Sequence, residues 1–65
     1  MIQKTLKIND KPYYLYLENG EYKMTTKENF NARIQDARQI ITLQGFTNAN
    51  DCIKYLQKYY TIKVL

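Results

Sequence analysis

The sequence has no histidine, no tryptophan, a single cysteine and only two glycines in 65 residues. The absence of histidine removes the commonest general base and the commonest metal ligand. Cys52 therefore lacks the imidazole partner that activates a cysteine nucleophile, and its more ordinary role is that of a small buried apolar side chain. Gly20 and Gly45 do not make a glycine-rich phosphate loop. We therefore predict a protein that is not an enzyme and that binds no cofactor and no metal.

Long apolar runs are also absent. Charged residues interrupt the start of the chain, at Lys4, Lys7, Asp10 and Lys11, so we expect no signal peptide. No apolar stretch approaches the roughly 20 residues that span a bilayer. A lone cysteine cannot form an internal disulfide, which favours a reducing, cytoplasmic setting. A length of 65 residues allows one domain, residues 1–65.

What the chain does contain is a strong hairpin signal, Asn19-Gly20, because a type I′ turn requires positive φ at both central residues. A two-residue loop there predicts a hairpin over residues 13–25, with Glu18 opposite Glu21 at its exposed end. Side chains alternate across a strand, so one face of the hairpin is polar apart from two tyrosines in its middle. The other face carries apolar side chains: Tyr13, Leu15, Leu17, Tyr22 and Met24.

The beginning of the chain alternates between apolar and polar residues, which predicts another strand. A four-residue turn over residues 9–12 would place Leu6 opposite Leu15. Ile2 and Ile8 then lie on the same face as Leu6. The result is a three-stranded antiparallel meander with one continuous apolar face.

After the hairpin the hydrophobic period becomes helical. Thr25 and Glu28 fit a capping box, and apolar residues recur at helical spacing as far as Ile41, which predicts a helix over about residues 26–44. A β-branched run near its end leaves a second possibility open. The helix would then end near Gln39, and a short strand would follow.

A second helix is predicted over roughly residues 48–60, with Thr47 as its N-cap. Its apolar stripe consists of Ala49, Ile53, Leu56 and Tyr60. Residues 61–65 have the pattern of a short strand, which could join either edge of the meander. The predicted fold is therefore α+β: a three-stranded antiparallel meander packed on two helices, with a short C-terminal strand, in the order β-β-β-α-α-β.

The first candidate binding surface is the polar face of the meander. There Tyr14 and Tyr16 are bordered by Lys7 and Lys23. Nucleic-acid bases stack on aromatic side chains while nearby cations hold phosphates, and tyrosine is also enriched in protein interfaces. The alternative interpretation is that the C-terminal strand or a crystal partner covers these rings, or that they form ordinary cross-strand pairs.

The second candidate surface is a flank of the second helix. Tyr55 and Tyr59 widen its apolar stripe to one side, so this flank could bind a partner or a second copy of the chain. The formal net charge of +4 permits an acidic partner, either nucleic acid or an acidic protein surface. A charge of this size also serves simply to keep a small domain soluble.

The chain as a whole resembles the small accessory proteins of phages and prophages, which include the anti-CRISPR and other anti-defence inhibitors. The resemblance lies in the general build of the chain, which has 65 residues and few candidates for catalysis, and in a hairpin over residues 13–25 followed by helical patterns over residues 30–60. It implies a stoichiometric inhibitor that occupies a surface of a host nuclease complex, in the cytoplasm of the host cell.

Two functions are therefore predicted. The first is a protein-binding inhibitor or regulator that uses either the face of Tyr14 and Tyr16 or the flank of Tyr55 and Tyr59. The second is a single-stranded nucleic-acid-binding module that uses the exposed Tyr/Lys face of the sheet. A homodimer formed through the helix flank is compatible with both.

Overall fold

A computed structural model of the protein describes all residues, Met1–Leu65. Its centre is one antiparallel sheet of five strands in the order β4-β3-β2-β1-β5. The strands are β1 (Ile2–Ile8), β2 (Lys11–Glu18), β3 (Glu21–Thr26), β4 (Ile41–Leu43) and β5 (Ile62–Val64). The helices are α1 (Lys27–Asn31) and α2 (Ala49–Leu56), and a single 3₁₀ turn spans Ala37–Gln39. The predicted α+β fold and its three-stranded meander are confirmed. Neither helix is long and apolar enough to cross a membrane.

The hairpin between β2 and β3 forms in the predicted register. Glu18 lies opposite Glu21, and the pairing continues without interruption to Tyr13 opposite Thr26. Asn19 and Gly20 have φ values of 52° and 77°, as a type I′ turn requires.

The hairpin between β1 and β2 is tighter than the sequence predicts. Asn9 and Asp10 both have positive φ, 52° and 64°, so they close a two-residue turn, and the expected four-residue turn is wrong. Pro12 lies within β2, at a position where β3 has no residue opposite it, so its missing N–H costs no bond to that strand. Leu6 consequently faces Tyr13 and not Leu15. Because the displacement is an even number of residues, the apolar face is preserved.

A β-bulge near the start of β1 changes the face on which the first side chain lies. The register shifts between Ile2 and Lys4, which leaves Ile2 opposite Tyr16 and Lys4 opposite Leu15. The expectation that Ile2 lies on the core face is therefore wrong, because one extra residue in a strand reverses the alternation.

The hydrophobic core lies on one side of the sheet, between the strands and α2, and we call this side the α2 face. The N-cap of α2 is Asn48 and not Thr47, because the Asn48 Oδ1 accepts a hydrogen bond of 2.9 Å from the Asp51 N–H. Nine buried residues make one cluster there: Leu6, Ile8, Leu15, Tyr22, Met24, Leu43, Cys52, Ile53 and Leu56. α2 ends at Leu56, one turn earlier than predicted, and hydrogen-bonded turns continue to Tyr60.

The long helix predicted over residues 26–44 does not form. α1 ends after five residues, and Arg33 takes a left-handed φ of 57°, which interrupts the helical periodicity. Asp36 then caps the 3₁₀ turn, and β4 follows directly after it. Of the alternative, a helix ending near Gln39 followed by a short strand, the strand is confirmed, since the β-branched run of β4 pairs with β3, but the helix ends earlier, at Asn31.

The C-terminal strand β5 joins the edge formed by β1. Ile62 lies opposite Ile8 and continues the apolar face, whereas Lys63 lies directly opposite Lys7 on the other face.

Candidate functional site

The sheet face opposite the core is covered by α1, and we call it the α1 face. Phe30 projects from α1 onto this face, with its ring centroid 5.2 Å from that of Tyr14 and 5.0 Å from that of Tyr16. Both contacts are edge-to-face, the arrangement that aromatic rings prefer. Tyr16 is consequently only 5% exposed, and Tyr14 is half-buried. The prediction of an exposed pair of tyrosine rings is therefore wrong, because the short α1 folds across the opposite face of the sheet from α2.

Two hydrogen bonds hold α1 and the segment after it to the end of β3. The Thr26 Oγ1 accepts a hydrogen bond of 3.1 Å from the Asn29 N–H, so the cap is one residue later than predicted. Thr25 instead points into the α1 face, where it is buried and its hydroxyl donates to the Gln39 carbonyl over 2.9 Å. This bond ties the end of the segment to β3, so Phe30 remains above the two tyrosines.

The two lysines predicted to border these rings both lie on the α1 face, on opposite sides of the ring pair. The Lys23 Nζ donates to the Glu18 Oε1 over 2.9 Å, and this hydrogen bond raises the pKa of Lys23. Lys7 lies in β1 beyond Tyr14, opposite Lys63. Burial, followed by the Glu18 charge, raises the pKa of Tyr16. A binder of single-stranded nucleic acid needs free aromatic faces, and Tyr16 offers none.

An aromatic groove lies on the other side of the molecule, between β4 and the end of α2, and its volume is about 470 Å³. It contains Tyr55 and Tyr59, the pair predicted on the helix flank. Its lining residues are Ile41, Thr42, Leu43, Gln44, Phe46, Tyr55, Leu56, Tyr59 and Tyr60. Seven of these nine residues are hydrophobic and none is charged.

The aromatic groove is shaped by rings in tilted and edge-to-face contact and by the turns at both of its ends. The Phe46 and Tyr55 ring centroids are 5.3 Å apart, and those of Tyr55 and Tyr59 are 5.4 Å apart. Gly45, with a φ of 84°, turns the chain after β4 so that Phe46 packs against the core. At the other end, the N–H groups of Tyr59 and Tyr60 both donate to the Leu56 carbonyl over 3.0 Å.

The rings of the aromatic groove remain open to solvent although they are apolar. Tyr55 is 41% exposed, Tyr59 66% and Tyr60 46%, and Ile41 is 42% exposed at the edge of the sheet. The sequence pattern indicated only Tyr55 and Tyr59 as a candidate binding surface. Leu56 and Tyr60 were predicted in the apolar stripe of the same helix, and for Tyr60 this is wrong because it lies beyond α2 and is exposed. The contributors from β4 depend on where that strand pairs, and the one local signal for them was the possible helix break before Ile41.

Few side chains in this structure are candidates for catalysis. Cys52 is fully buried in the core, and burial raises the pKa of its thiol, so the reactive thiolate is disfavoured. Hydrogen bonds from Arg38 lower the pKa of Asp36, but this ion pair lies at the surface beside the 3₁₀ turn. No group of three or more histidine, cysteine, aspartate or glutamate side chains lies close enough together to hold a metal ion.

Comparison of the chain with protein-family models, with curated proteins and with solved structures found no match to any of them.

Proposed function

We propose that this protein is a non-enzymatic inhibitor or regulator that binds another protein through the aromatic groove. The proposal rests on one observation: three tyrosines between 41% and 66% exposed surround an uncharged groove. Tyrosine is typical of interface hot spots, because its ring is apolar, its hydroxyl can hydrogen-bond and it loses little side-chain entropy on binding. An exposed apolar patch of this kind is typical of a protein-binding surface.

The partner we propose is a component of a host nuclease complex, as the resemblance to phage anti-defence inhibitors implies. A stoichiometric inhibitor needs a preformed contact surface and no catalytic group. The aromatic groove supplies such a surface, because its rings are positioned by backbone hydrogen bonds and by packing on the core. Contact through it would hold the inhibitor on the complex and exclude the substrate.

Site-directed photo-crosslinking in the native cell tests whether the aromatic groove holds a protein. A photoreactive phenylalanine replaces Tyr59, and the matched control carries the same residue at Lys27, which is exposed on the α1 face. We expect a discrete protein adduct from position 59 that is absent from position 27. Equal adducts from both positions, or none from either, would refute the proposed function.

A plasmid-interference assay tests whether the partner is a nuclease complex. It uses strains that each carry one nuclease-based defence system. Wild-type protein should protect the plasmid in one strain, and the double variant Tyr55→Ala/Tyr59→Ala should not. Lys27→Ala should protect like the wild type, and circular dichroism must show that all variants remain folded. Protection by the groove variant, or none by wild type in any strain, would contradict a nuclease target and leave the crosslinking result to decide protein binding.

A further inference from the structure

The two outer strands of the sheet differ in how they are protected against pairing with another chain. β4 is the last strand on its side, and its sequence is Ile41-Thr42-Leu43, without proline, charge or bulge. β5 at the opposite edge carries Lys63 at its centre. Charged residues and proline are the usual means by which edge strands avoid adding further strands. β4 has neither, so its outer N–H and C=O groups are available to another strand.

The unprotected edge and the aromatic groove are parts of the same surface. Ile41 and Leu43 pair with Met24 and Tyr22 and therefore face the α2 side, where they line the groove. Thr42, opposite Lys23, faces the other side. A strand added beside β4 would thus place alternate side chains over the groove, against the rings of α2 and its following turn.

The charged residues nearest the groove tyrosines are two lysines and one aspartate, and the Asp51 carboxylate accepts a hydrogen bond of 3.1 Å from the Asn48 side chain at the start of α2. Lys54 and Lys58 each precede a groove tyrosine, stand four residues apart and are exposed. Neither lysine lines the groove itself: Lys54 lies in the last turn of α2, and Lys58 lies in the hydrogen-bonded turn that follows it. The nearest acidic residue of the adjoining hairpin, Glu21, precedes Tyr22 in β3 and faces the α1 side. We call Lys54 and Lys58 the lysine rim of the groove. A partner with acidic residues complements this lysine rim, whereas a second copy of the chain would bring another net charge of +4.

From these observations we infer the binding mode at the groove, an inference that rests on the proposed function. An extended segment of the partner protein pairs with β4 as a sixth strand of the sheet. Its alternate apolar side chains enter the aromatic groove, and its acidic residues lie against Lys54 and Lys58. Backbone pairing supplies the alignment, and the groove and its lysine rim supply the selectivity.

Synthetic peptides of about eight residues test this mode, since strands of that length are common. The probe alternates valine or phenylalanine with glutamate, and a second peptide has lysine in place of glutamate. A third is the acidic peptide with N-methyl groups at alternate amides along one edge, and a fourth carries them along the other edge. We expect the acidic peptide to bind at least about tenfold more tightly than the lysine peptide, and one N-methylated form to lose at least about tenfold in affinity.

Amide hydrogen exchange gives a readout that only strand addition affects. The acidic peptide should slow exchange at the outward-facing amide of Thr42 and shift the resonances of Tyr59. Shifts at Tyr59 without slower exchange in β4 would overturn strand addition, and the crosslinking experiment would still decide the proposed function. Absence of saturable peptide binding would also overturn it, as would an oligonucleotide that shifts the same resonances more strongly.

Charge reversal tests the lysine rim. Lys54→Glu/Lys58→Glu should reverse the preference between the acidic and the lysine peptide, whereas Lys7→Glu/Lys27→Glu, with the same change in net charge on the α1 face, should retain it. An equal effect of both double variants would refute the rim. Sedimentation equilibrium should show a monomer, and a dimer abolished by Tyr59→Ala would replace the acidic partner with a second copy.

Discussion

The two faces of the sheet are covered in very different ways. On the α2 face nine buried residues form one cluster, and α2 contributes three of them. On the α1 face the covering helix has five residues, none of them buried, and its main contact is the half-buried ring of Phe30. One side of the sheet therefore provides most of the free energy of folding, and the other side carries a light cover that can be weakened without unfolding the chain.

The largest effect is expected from Leu15→Ala on the α2 face. Leu15 is fully buried, and removing a buried leucine side chain costs about 3 kcal/mol. That loss is comparable to the whole stability expected of so small a domain, so the variant should be largely unfolded. Urea denaturation followed by circular dichroism measures the change, with the volume-conserving Leu15→Met as control. The comparison fails if Leu15→Ala costs less than the removal of Phe30.

Phe30→Ala should have a smaller effect and leave the sheet intact. The ring is half-buried, so we expect a loss of about 2 kcal/mol, less than for a fully buried phenylalanine. Burial raises the pKa of Tyr16, so removing the ring should lower this pKa towards its ordinary value. Spectrophotometric titration of the tyrosines measures the shift. An unchanged Tyr16 titration would mean that Phe30 does not shield the α1 face.

Thr25→Val should destabilise the segment that covers the α1 face and leave the core of the α2 face unaffected. The substitution keeps the shape of the side chain but removes the hydroxyl that donates to the Gln39 carbonyl, at a cost of about 1 kcal/mol. Amide exchange should become faster in residues 33–40 and stay unchanged in α2. Faster exchange in both regions would show that the two faces unfold together.

Alkaline pH should destabilise the protein through one group on each face, and the effect is absent at neutral pH. Burial raises the pKa of Cys52 above its ordinary value of 9.0 and that of Tyr16 above 10.0. Above those values the unfolded chain releases protons that the folded chain retains. The free energy of unfolding is therefore unaffected by these two groups below about pH 9 and decreases as the pH rises further. Urea denaturation at neutral and alkaline pH should show this fall. Phe30→Ala should reduce the part due to Tyr16 only, and an equal fall in both proteins would contradict that assignment.

The parts of this fold that follow from local chemistry could be predicted from the sequence. Asn19-Gly20 specifies one turn, and with it the whole register of β2 and β3. The turn at Asn9 and Asp10 is two residues shorter than expected. A shift of two residues keeps every side chain on its face of the sheet, so the predicted apolar face is retained.

The parts that depend on distant contacts could not be predicted. Apolar residues from Phe30 to Ile41 recur at helical spacing, but the left-handed φ of Arg33 interrupts the helical conformation. Ile41, the last of these residues, pairs with β3. That pairing places Ile41 in the lining of the aromatic groove, and the early end of α1 leaves Phe30 above the tyrosines. Tyr55 and Tyr59 were predicted on a helix flank from spacing alone, whereas the opposite wall of the groove required the position of β4.

Because Lys7 lies opposite Lys63, ionic strength should have opposite effects at the two edges of the sheet, β5 and β4. Like charges directly across a ladder repel, and neither lysine has an ion-pair partner. Added electrolyte screens this repulsion, so β5 should hold β1 more firmly at high ionic strength and fray when the buffer is dilute. The attraction between the lysine rim and an acidic strand weakens under the same screening. Dilute buffer should therefore favour capture at β4 while it loosens β5, and a salt titration of amide exchange would reveal both trends in one sample.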